Sequence, residues 1–228
     1  MISVAIAGAG RMGQAIAETV ERADDLALAG IWARGGDLDA LLENADVVID
    51  FSLPEGTMLV LDAVRRHGKP LVCGVSGLSP EQLGKLGETA MSVGVVYDRN
   101  MSLGIAVLER SVREAAASLG AEFAVRVAET HHVHKKDAPS GTALKLAEAV
   151  ADARGEPGTG SVQFEVERRG EVPGDHEVTL ETPAERLTFA HSVTTRQVFA
   201  DGALRAARWI CDKPAGQYAM RDVLFDAN

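Results

Sequence analysis

The chain has 228 residues, 46% of them hydrophobic, and its 33 acidic against 23 basic side chains give a formal net charge of −10 at pH 7. This balance is typical of a soluble globular protein of one or two domains, and the negative charge argues against a surface that binds nucleic acid regardless of sequence. The two cysteines, Cys73 and Cys211, lie far apart in apolar surroundings. They exclude a disulfide scaffold and a CxxC metal site and fit a reducing compartment.

The chain also gives no signal for a membrane or a targeting segment. No uncharged apolar run reaches the roughly 18 residues that a membrane helix needs. The apolar stretch Ile2–Ala7 lacks a preceding basic region and leads directly into a glycine-rich turn, which is typical of a strand rather than of a signal peptide. We therefore expect a cytoplasmic protein with no membrane partner.

Strand and helix patterns alternate over the first part of the chain. Strands are predicted at Ile2–Ala7, Leu26–Trp32, Asp46–Phe51, Leu71–Cys73 and Val93–Tyr97, and helices at Arg11–Ala23, at Pro54–His67 and from Ser79 onward. This alternation predicts an α/β fold, a Rossmann-type doubly wound parallel sheet covered on both faces.

After Met101 the pattern changes. Helices are predicted at Ser102–Leu119, Ser140–Arg154 and Arg196–Cys211, and strands at Phe123–Glu129, Val162–Arg168, Glu177–Glu181 and Leu187–Ala190. Helices that are separated from a run of strands predict a second, α+β domain.

A glycine-rich turn joins the first strand to the first helix. Residues 8–13 read G-A-G-R-M-G, a G-x-G-x-x-G pattern in which Gly8 permits the tight turn, Gly10 lets a pyrophosphate approach the backbone and Gly13 allows close helix packing. Arg11 and Met12 fall inside this pattern and begin the helix, whose N-terminus favours phosphate. The pattern favours a dinucleotide site; the alternative is a glycine turn with no ligand.

The end of the second strand bears on which nucleotide binds. A carboxylate at this place commonly binds the ribose 2′-hydroxyl of NAD, but here Trp32 and Ala33 are followed by Arg34, and the next carboxylate is Asp37. The permanent charge and forked donors of Arg34 suit a 2′-phosphate, so we expect NADPH in preference to NADH. A solvent-exposed arginine is the alternative.

The most informative stretch is the histidine segment, residues 129–143, with the sequence E-T-H-H-V-H-K-K-D-A-P-S-G-T-A. Histidine exchanges protons near neutral pH, and lysine donates a proton or binds an anion. Pro139 precedes a predicted helix start at Ser140–Thr142, where backbone N–H groups and a hydroxyl favour a carboxylate. The segment therefore predicts an anion site beside proton-transferring groups.

Two other interpretations of the histidine segment remain open. A metal site formed by His131, His132, His134 and Asp137 is opposed by the adjacent lysines and matches no usual zinc spacing, so we expect no metal. A solvated polar loop that caps a helix is the simpler alternative.

The histidine segment resembles the signature of the 4-hydroxy-tetrahydrodipicolinate reductase (dihydrodipicolinate reductase) family. The resemblance continues in the glycine turn, in D-F-S with P-E-G-T at residues 50–57, in G-V-S-G-L-S at 74–79, in N-M-S-L-G at 100–104, in R-G…G-D-H at 169–176, in H-S-V-T-T-R at 191–196 and in M-R-D-V-L at 220–224. It implies reduction of 4-hydroxy-tetrahydrodipicolinate, or its dehydrated form, to tetrahydrodipicolinate by NADPH or NADH in diaminopimelate and lysine biosynthesis.

Roles carried over from this resemblance are as follows. His131 and Lys135 correspond to the catalytic acid/base histidine and the proton-donating lysine, with hydride arriving at C4 of the substrate ring. His132, Gly141 and Thr142 correspond to residues that bind the dicarboxylate. Residues lining the nicotinamide side of the cofactor site correspond to Gly74, Val75, Ser76, Asp98, Asn100 and Met101.

The resemblance also implies the domain organisation. Residues 1–99 plus 212–228 are expected to form the dinucleotide-binding domain, and residues 100–211 a substrate-binding and oligomerisation domain with an open mixed sheet that builds a homotetramer. The chain departs from the family pattern at Val75 and Met101 and is short between Arg34 and Asp46, where an element of the cofactor domain is expected to be missing. Rival hypotheses are a Rossmann-type reductase of another small dicarboxylate and a nucleotide sensor without catalysis.

Overall fold

The computed structural model describes residues 1–225, which form two compact units. The first contains Met1–Leu103 together with the chain from Arg196 onward, and the second contains Gly104–Thr195. The expected division placed the helix at 196–211 in the second domain. In the structure that helix belongs to the first unit, because its apolar face, including Ala203, Leu204 and Ile210, is buried against that unit's sheet and first helix.

A six-stranded parallel sheet forms the centre of the first unit. Its strands are β1 (Ile2–Ala7), β2 (Leu26–Trp32), β3 (Val47–Asp50), β4 (Leu71–Cys73), β5 (Gly94–Tyr97) and β10 (Gly216–Tyr218), in the order β10-β5-β4-β3-β1-β2. β3 and β4 are buried along their whole length. Continuous apolar strands of this kind require cover on both faces, which confirms the Rossmann-type prediction.

Within residues 1–225, six helices accompany this sheet: α1 (Arg11–Glu21), α2 (Leu38–Glu43), α3 (Pro54–His67), α4 (Pro80–Ala90), α7 (Gln197–Ile210) and α8 (Met220–Phe225). Proline at the start of α3 and a capping box between Ser79 and Gln82 at α4 account for two of the predicted helix starts. The short connection between Arg34 and Asp46, where a missing element was expected, holds the six-residue α2.

The second unit packs two helices, α5 (Leu103–Leu119) and α6 (Gly141–Arg154), with a four-stranded sheet. β6 (Ala124–His131) pairs in parallel with β7 (Val162–Arg168) and antiparallel with β8 (Asp175–Glu181), which pairs antiparallel with β9 (Arg186–Ser192). The sheet is therefore mixed, as expected. Among residues 1–225, no helix is both long and apolar enough to cross a bilayer.

One boundary matters for the site. β6 extends to His131, two residues beyond the predicted end of the strand. Burial alternates along it, so Val125, Val127, Glu129 and His131 all face the interior. Strand periodicity thereby places a carboxylate and a histidine, two residues apart, on the same buried face.

Candidate active site

The glycine turn has the geometry that a dinucleotide site requires. Gly8 has φ +109°, and its N–H donates to Trp32 O at 2.9 Å. A Cβ at Gly8 would meet Phe51 O at 2.6 Å, and a Cβ at Gly13 would meet Gly8 O at 1.8 Å, whereas a Cβ at Gly10 would meet nothing within 4 Å. Gly8 and Gly13 are therefore fixed by packing, while Gly10 leaves open space beside the N-terminus of α1, which no side chain caps.

Next to this turn lies a cavity of about 400 Å³ within the first unit. Gly8, Gly10 and Arg34 line it, together with Trp32, Phe51 and the start of α3. The open space at Gly10, the uncapped helix start and a guanidinium in the wall are the features that a nucleotide with phosphates needs, so these residues fit the expected cofactor.

The loop that carries Arg34 is tied to strand β2. Trp32 is 6% exposed, and its Nε1 donates to Gly36 O at 3.0 Å. Gly36 N–H in turn donates to Ala33 O at 2.9 Å, which closes a turn around Arg34. The indole therefore serves as a buried strand-end aromatic as well as a wall of the cavity.

The other expected cofactor residues follow β4 and β5. A Cβ at Gly74 would meet the Phe51 ring at 2.4 Å, so this position requires glycine; Val75 is buried and Ser76 is exposed. Because the strands are parallel, Gly74–Ser76 and Asp98–Met101 follow the same edge of the sheet as the glycine turn. None of these residues lines the 400 Å³ cavity.

Three of these residues also have local structural roles. Asp98 accepts hydrogen bonds from the N–H groups of Asn100 (3.1 Å) and Met220 (3.2 Å), and Asn100 Oδ1 accepts from Ser102 N–H (2.8 Å). Met101 is 1% exposed, and its carbonyl oxygen lies against Gly202. The segment 98–101 is thus held by its own hydrogen bonds and by packing.

In the second unit, the buried carboxylate of Glu129 connects several parts of the histidine segment. Its two oxygens lie 3.1 and 3.2 Å from Ser140 N, and Oε1 lies 3.3 Å from Arg168 Nη1. Oε2 is 3.6 Å from His131 Nδ1 and 3.9 Å from His176 Nε2. Glu129 thus joins the end of β6 to the start of α6 and to β7.

His131 and His176 form a buried pair. Their rings meet edge to face with centroids 5.0 Å apart, and Gly174 leaves room for them, since a Cβ there would meet His131 Nε2 at 3.1 Å. Burial lowers the pKa of His131 to about 4, although the Glu129 carboxylate opposes this shift. Burial likewise lowers the pKa of His176 to about 3. Both imidazoles are therefore neutral at neutral pH.

Lys135 provides a cation close to these histidines. Its Nζ lies 2.9 Å from Asp137 Oδ1 and is largely shielded from solvent. Burial opposes ionisation of Asp137, but the hydrogen bond and charge of Lys135 lower the pKa of this carboxyl. The positive charge of Lys135 also contributes, less than burial, to the low pKa of His131.

The expected substrate residues lie where α6 begins. Ser140 caps the helix, accepting Ala143 N–H on its Oγ at 3.1 Å. Gly141 is the first helical residue, Thr142 is 6% exposed and His132 is half-buried. The positive end of the helix dipole and the Lys135 ammonium make this the part of an acidic protein that suits an anion.

Glu129, His131 and His176 also offer ligand atoms that all lie within 4.8 Å of one another. The metal ligands considered from the sequence alone were His131, His132, His134 and Asp137. Glu129 already accepts hydrogen bonds from Ser140 and from the Arg168 guanidinium, whose charge opposes a cation. These contacts favour a carboxylate that is already held by hydrogen bonds, and that acts on His131 through its charge, over a metal centre.

Comparison with protein families settles the relationship of the chain. Residues 2–101 match the dihydrodipicolinate reductase N-terminus, and residues 104–224 match the dihydrodipicolinate reductase C-terminus. The chain belongs to the dihydrodipicolinate reductase family.

Named relatives agree with this membership. The chain is 40% identical to 4-hydroxy-tetrahydrodipicolinate reductase of Caulobacter vibrioides over 249 residues, covering 98% of this chain and 97% of the relative. It is 38% identical to the reductase of the same name from Zymomonas mobilis, covering 96% and 95%. Among solved structures, dipicolinate-bound dihydrodipicolinate reductase from Paenisporosarcina sp. TG-14 has the same fold, with a TM-score of 0.78, 22% identity and coverage of 98% and 100%.

Two residues of the histidine site were not assigned from the sequence of this family member. The sequence indicates Glu129 only as the first residue of the histidine segment and Arg168 only as part of a predicted strand. The inward alternation of β6 was a signal for Glu129. Arg168 gave no such signal, because its position beside His131 depends on the parallel register of β6 and β7.

Proposed function

We propose that this chain reduces 4-hydroxy-tetrahydrodipicolinate, which loses its hydroxyl as water, or the form that is already dehydrated, to tetrahydrodipicolinate, with His131 and Lys135 handling the protons. Membership of the family makes it an NAD(P)H-dependent oxidoreductase of diaminopimelate and lysine biosynthesis. The observation that carries the residue roles is the placement of Lys135 in the loop that follows the buried His131 at the end of β6, with its ammonium 2.9 Å from Asp137 Oδ1.

The substrate class follows from the charges at the start of α6. A dicarboxylate brings two negative charges, which the dipole of α6 and Lys135 stabilise in a protein whose overall charge is −10. Gly141 and Thr142 are proposed to bind one carboxylate, with His132 on the other side. The dipicolinate bound to the Paenisporosarcina relative supports this class of substrate.

Proton transfer is proposed to divide between the two catalytic residues. A bound nicotinamide nucleotide supplies the hydride. Lys135 carries its proton as an ammonium paired with Asp137, which makes it the donor to the ring carbon adjacent to the reduced position. His131 is neutral at neutral pH, so we assign it to accept and relay a proton rather than to store one.

The cofactor is proposed to be NADPH in preference to NADH. Arg34 in the cavity wall supports this choice, since a guanidinium forms paired hydrogen bonds with a phosphate. Gly8, Gly10, Arg11, Met12 and Gly13 are proposed to receive the pyrophosphate. For the nicotinamide side, we propose Gly74, Val75, Ser76, Asp98, Asn100 and Met101.

A cytoplasmic homotetramer is also part of the proposal. The second sheet leaves apolar side chains exposed, with Val166 42% and Leu187 40% accessible on β7 and β9. Contact with another copy would remove this surface from water. Light scattering that gave the mass of a monomer at micromolar concentration would contradict the tetramer.

The activity is tested by generating the substrate in situ from pyruvate and aspartate semialdehyde with the preceding synthase and following absorbance at 340 nm. We expect oxidation of both nucleotides that depends on this enzyme, with the higher kcat/KM for NADPH. Folded, nucleotide-binding protein that oxidised neither nucleotide would contradict the function. A higher kcat/KM for NADH would contradict only the cofactor assignment.

A further inference from the structure

Arg168 makes an unusual set of contacts at the end of β7. Its Nε donates to Lys135 O at 3.2 Å, and its Nη2 donates to Asp137 O. Its Nη1 donates to Glu129 Oε1 at 3.3 Å and to Glu167 O at 2.9 Å. One side chain, 21% exposed, therefore connects a buried carboxylate with two backbone carbonyls of the histidine segment.

We propose that Arg168 is a positioning residue that holds Lys135 in place for proton donation. The two carbonyls belong to Lys135 itself and to Asp137, whose carboxylate binds the Lys135 ammonium. Fixing both carbonyls fixes the backbone from which the donor and its counter-ion extend. The inference rests on the proposed role of Lys135 and extends the active site to the end of β7.

The register of the sheet explains why an arginine can do this. β6 and β7 pair in parallel with His131 opposite Arg168, and Arg169 N–H donates to His131 O at 2.8 Å. The side chain therefore starts beside the end of β6, at the level where the histidine segment leaves the sheet. Glu129 compensates the charge of its guanidinium in this half-buried position.

The geometry also requires the forked guanidinium. Three nitrogens of Arg168 contact separate acceptors, whereas a lysine ammonium is a compact point charge that cannot span them. Arg168→Lys keeps the positive charge opposite Glu129 but loses the hydrogen bonds to the carbonyls of Lys135 and Asp137. The variant therefore separates charge compensation from positioning of the histidine segment. Arg168→Gln removes both.

The first experiment measures kcat and KM for Arg168→Lys and Arg168→Gln, with Arg169→Gln as the matched control. Arg169 is the adjacent arginine, 63% exposed and 3.6 Å from Glu167. We expect both Arg168 variants to lower kcat about 10- to 100-fold, the range caused by small misplacements of a catalytic group, with KM for NADPH unchanged. Wild-type kcat in Arg168→Lys would overturn the positioning role, because charge alone would then suffice.

The second experiment combines Arg168→Gln with Lys135→Met. If Arg168 acts through Lys135, its substitution lowers kcat little further once the donor is absent. If the double variant lost kcat by the product of the two single losses, the proposal would be overturned. Arg168 would then contribute to turnover independently of Lys135.

Hydrogen exchange provides a readout that does not depend on turnover. Arg168→Gln is expected to speed amide exchange within residues 132–137, with β8 and β9 unchanged, and unaltered exchange would overturn the proposal. If the wild-type enzyme did not reduce the substrate, the proposed function would be contradicted and not the role of Arg168. Amide hydrogen exchange would still decide whether Arg168 orders residues 132–137.

Discussion

The carboxylate of Glu129 lies 3.6 Å from Nδ1 of His131, and both side chains are almost completely buried. This separation is too long for a hydrogen bond but short enough for a strong electrostatic effect in a poorly solvated site. The carboxylate raises the pKa of His131, while the larger effect of burial lowers it to about 4. Glu129 thus partly offsets the loss of basicity that burial imposes on His131, the residue that we assign to proton relay.

The first prediction concerns this pair. Glu129→Gln keeps an acceptor for Ser140 N–H but removes the negative charge beside His131. The pKa of His131 should therefore fall below its value of about 4, as measured by NMR titration of the imidazole. Glu167→Gln is the control, because Glu167 lies on the neighbouring strand and accepts from Thr130 Oγ1 at 2.9 Å. A rise in the pKa of His131 would refute the electrostatic assignment.

The second prediction concerns pH and stability. In the unfolded chain, a histidine gains its proton near pH 6.5, whereas folded His176 has a pKa of about 3. Between these values the unfolded state binds more protons, so the free energy of unfolding decreases as pH falls through this window. Each such histidine contributes a slope of at most about 1.4 kcal/mol per pH unit.

Comparison with His176→Gln isolates this effect. Burial raises the pKa of Asp50, so this carboxyl changes the free energy of unfolding with pH in the opposite direction. Its contribution is the same in wild type and in His176→Gln and cancels in the comparison. Urea unfolding at pH 7.5 and at pH 5 should show the difference in stability between wild type and variant shrinking at the lower pH. A difference that stayed constant would mean that His176 is not held neutral in the fold.

The third prediction concerns the ion pair between α5 and α6. Lys145 Nζ lies 2.8 Å from Glu109 Oε2, and these side chains are 13% and 8% exposed. Lys145→Met leaves a buried carboxylate without its cation and should lower the free energy of unfolding by about 3–5 kcal/mol. The exposed pair Arg110–Glu114 is the control, since Glu114→Gln should change stability by less than about 0.5 kcal/mol. If Lys145→Met lowered the free energy of unfolding as little as Glu114→Gln does, the burial of the Lys145–Glu109 pair would be contradicted.

The fourth prediction concerns nucleotide choice. Arg34→Gln should lower kcat/KM for NADPH about 10- to 100-fold, equivalent to the roughly 1.5–3 kcal/mol of a charged hydrogen bond, with little change for NADH. Arg65→Gln, an equal change of charge at an exposed position in the last turn of α3, should leave both values unchanged. An equal loss with both nucleotides would show that Arg34 does not discriminate through the 2′-phosphate.

Local patterns in the sequence were sufficient to predict the turn at Gly8–Gly13 and the start of a helix near Ser140. Each of these depends on a few adjacent residues, so spacing alone indicates it. Membership of the family confirms the expected fold and relationship, whereas the roles of His131 and Lys135 stay predictions.

Contacts between residues distant in the chain were not predictable. Arg168 meets Glu129 only because β6 and β7 pair in a particular register. Glu109 shows the same limit: its spacing from Arg113 predicts an exposed helix pair, but packing of α5 against α6 buries it beside Lys145. Likewise, His176 gave no indication in the sequence that it lies against His131.

The central claim is that Lys135 donates the proton during reduction, and the most direct test compares kcat of wild type, Lys135→Met and His134→Gln. His134 lies in the same segment but is 73% exposed, at 3.3 Å from Glu171. We expect Lys135→Met to lose about 100-fold or more in kcat while binding NADPH normally, and His134→Gln to keep wild-type turnover. Full turnover in Lys135→Met would contradict the account.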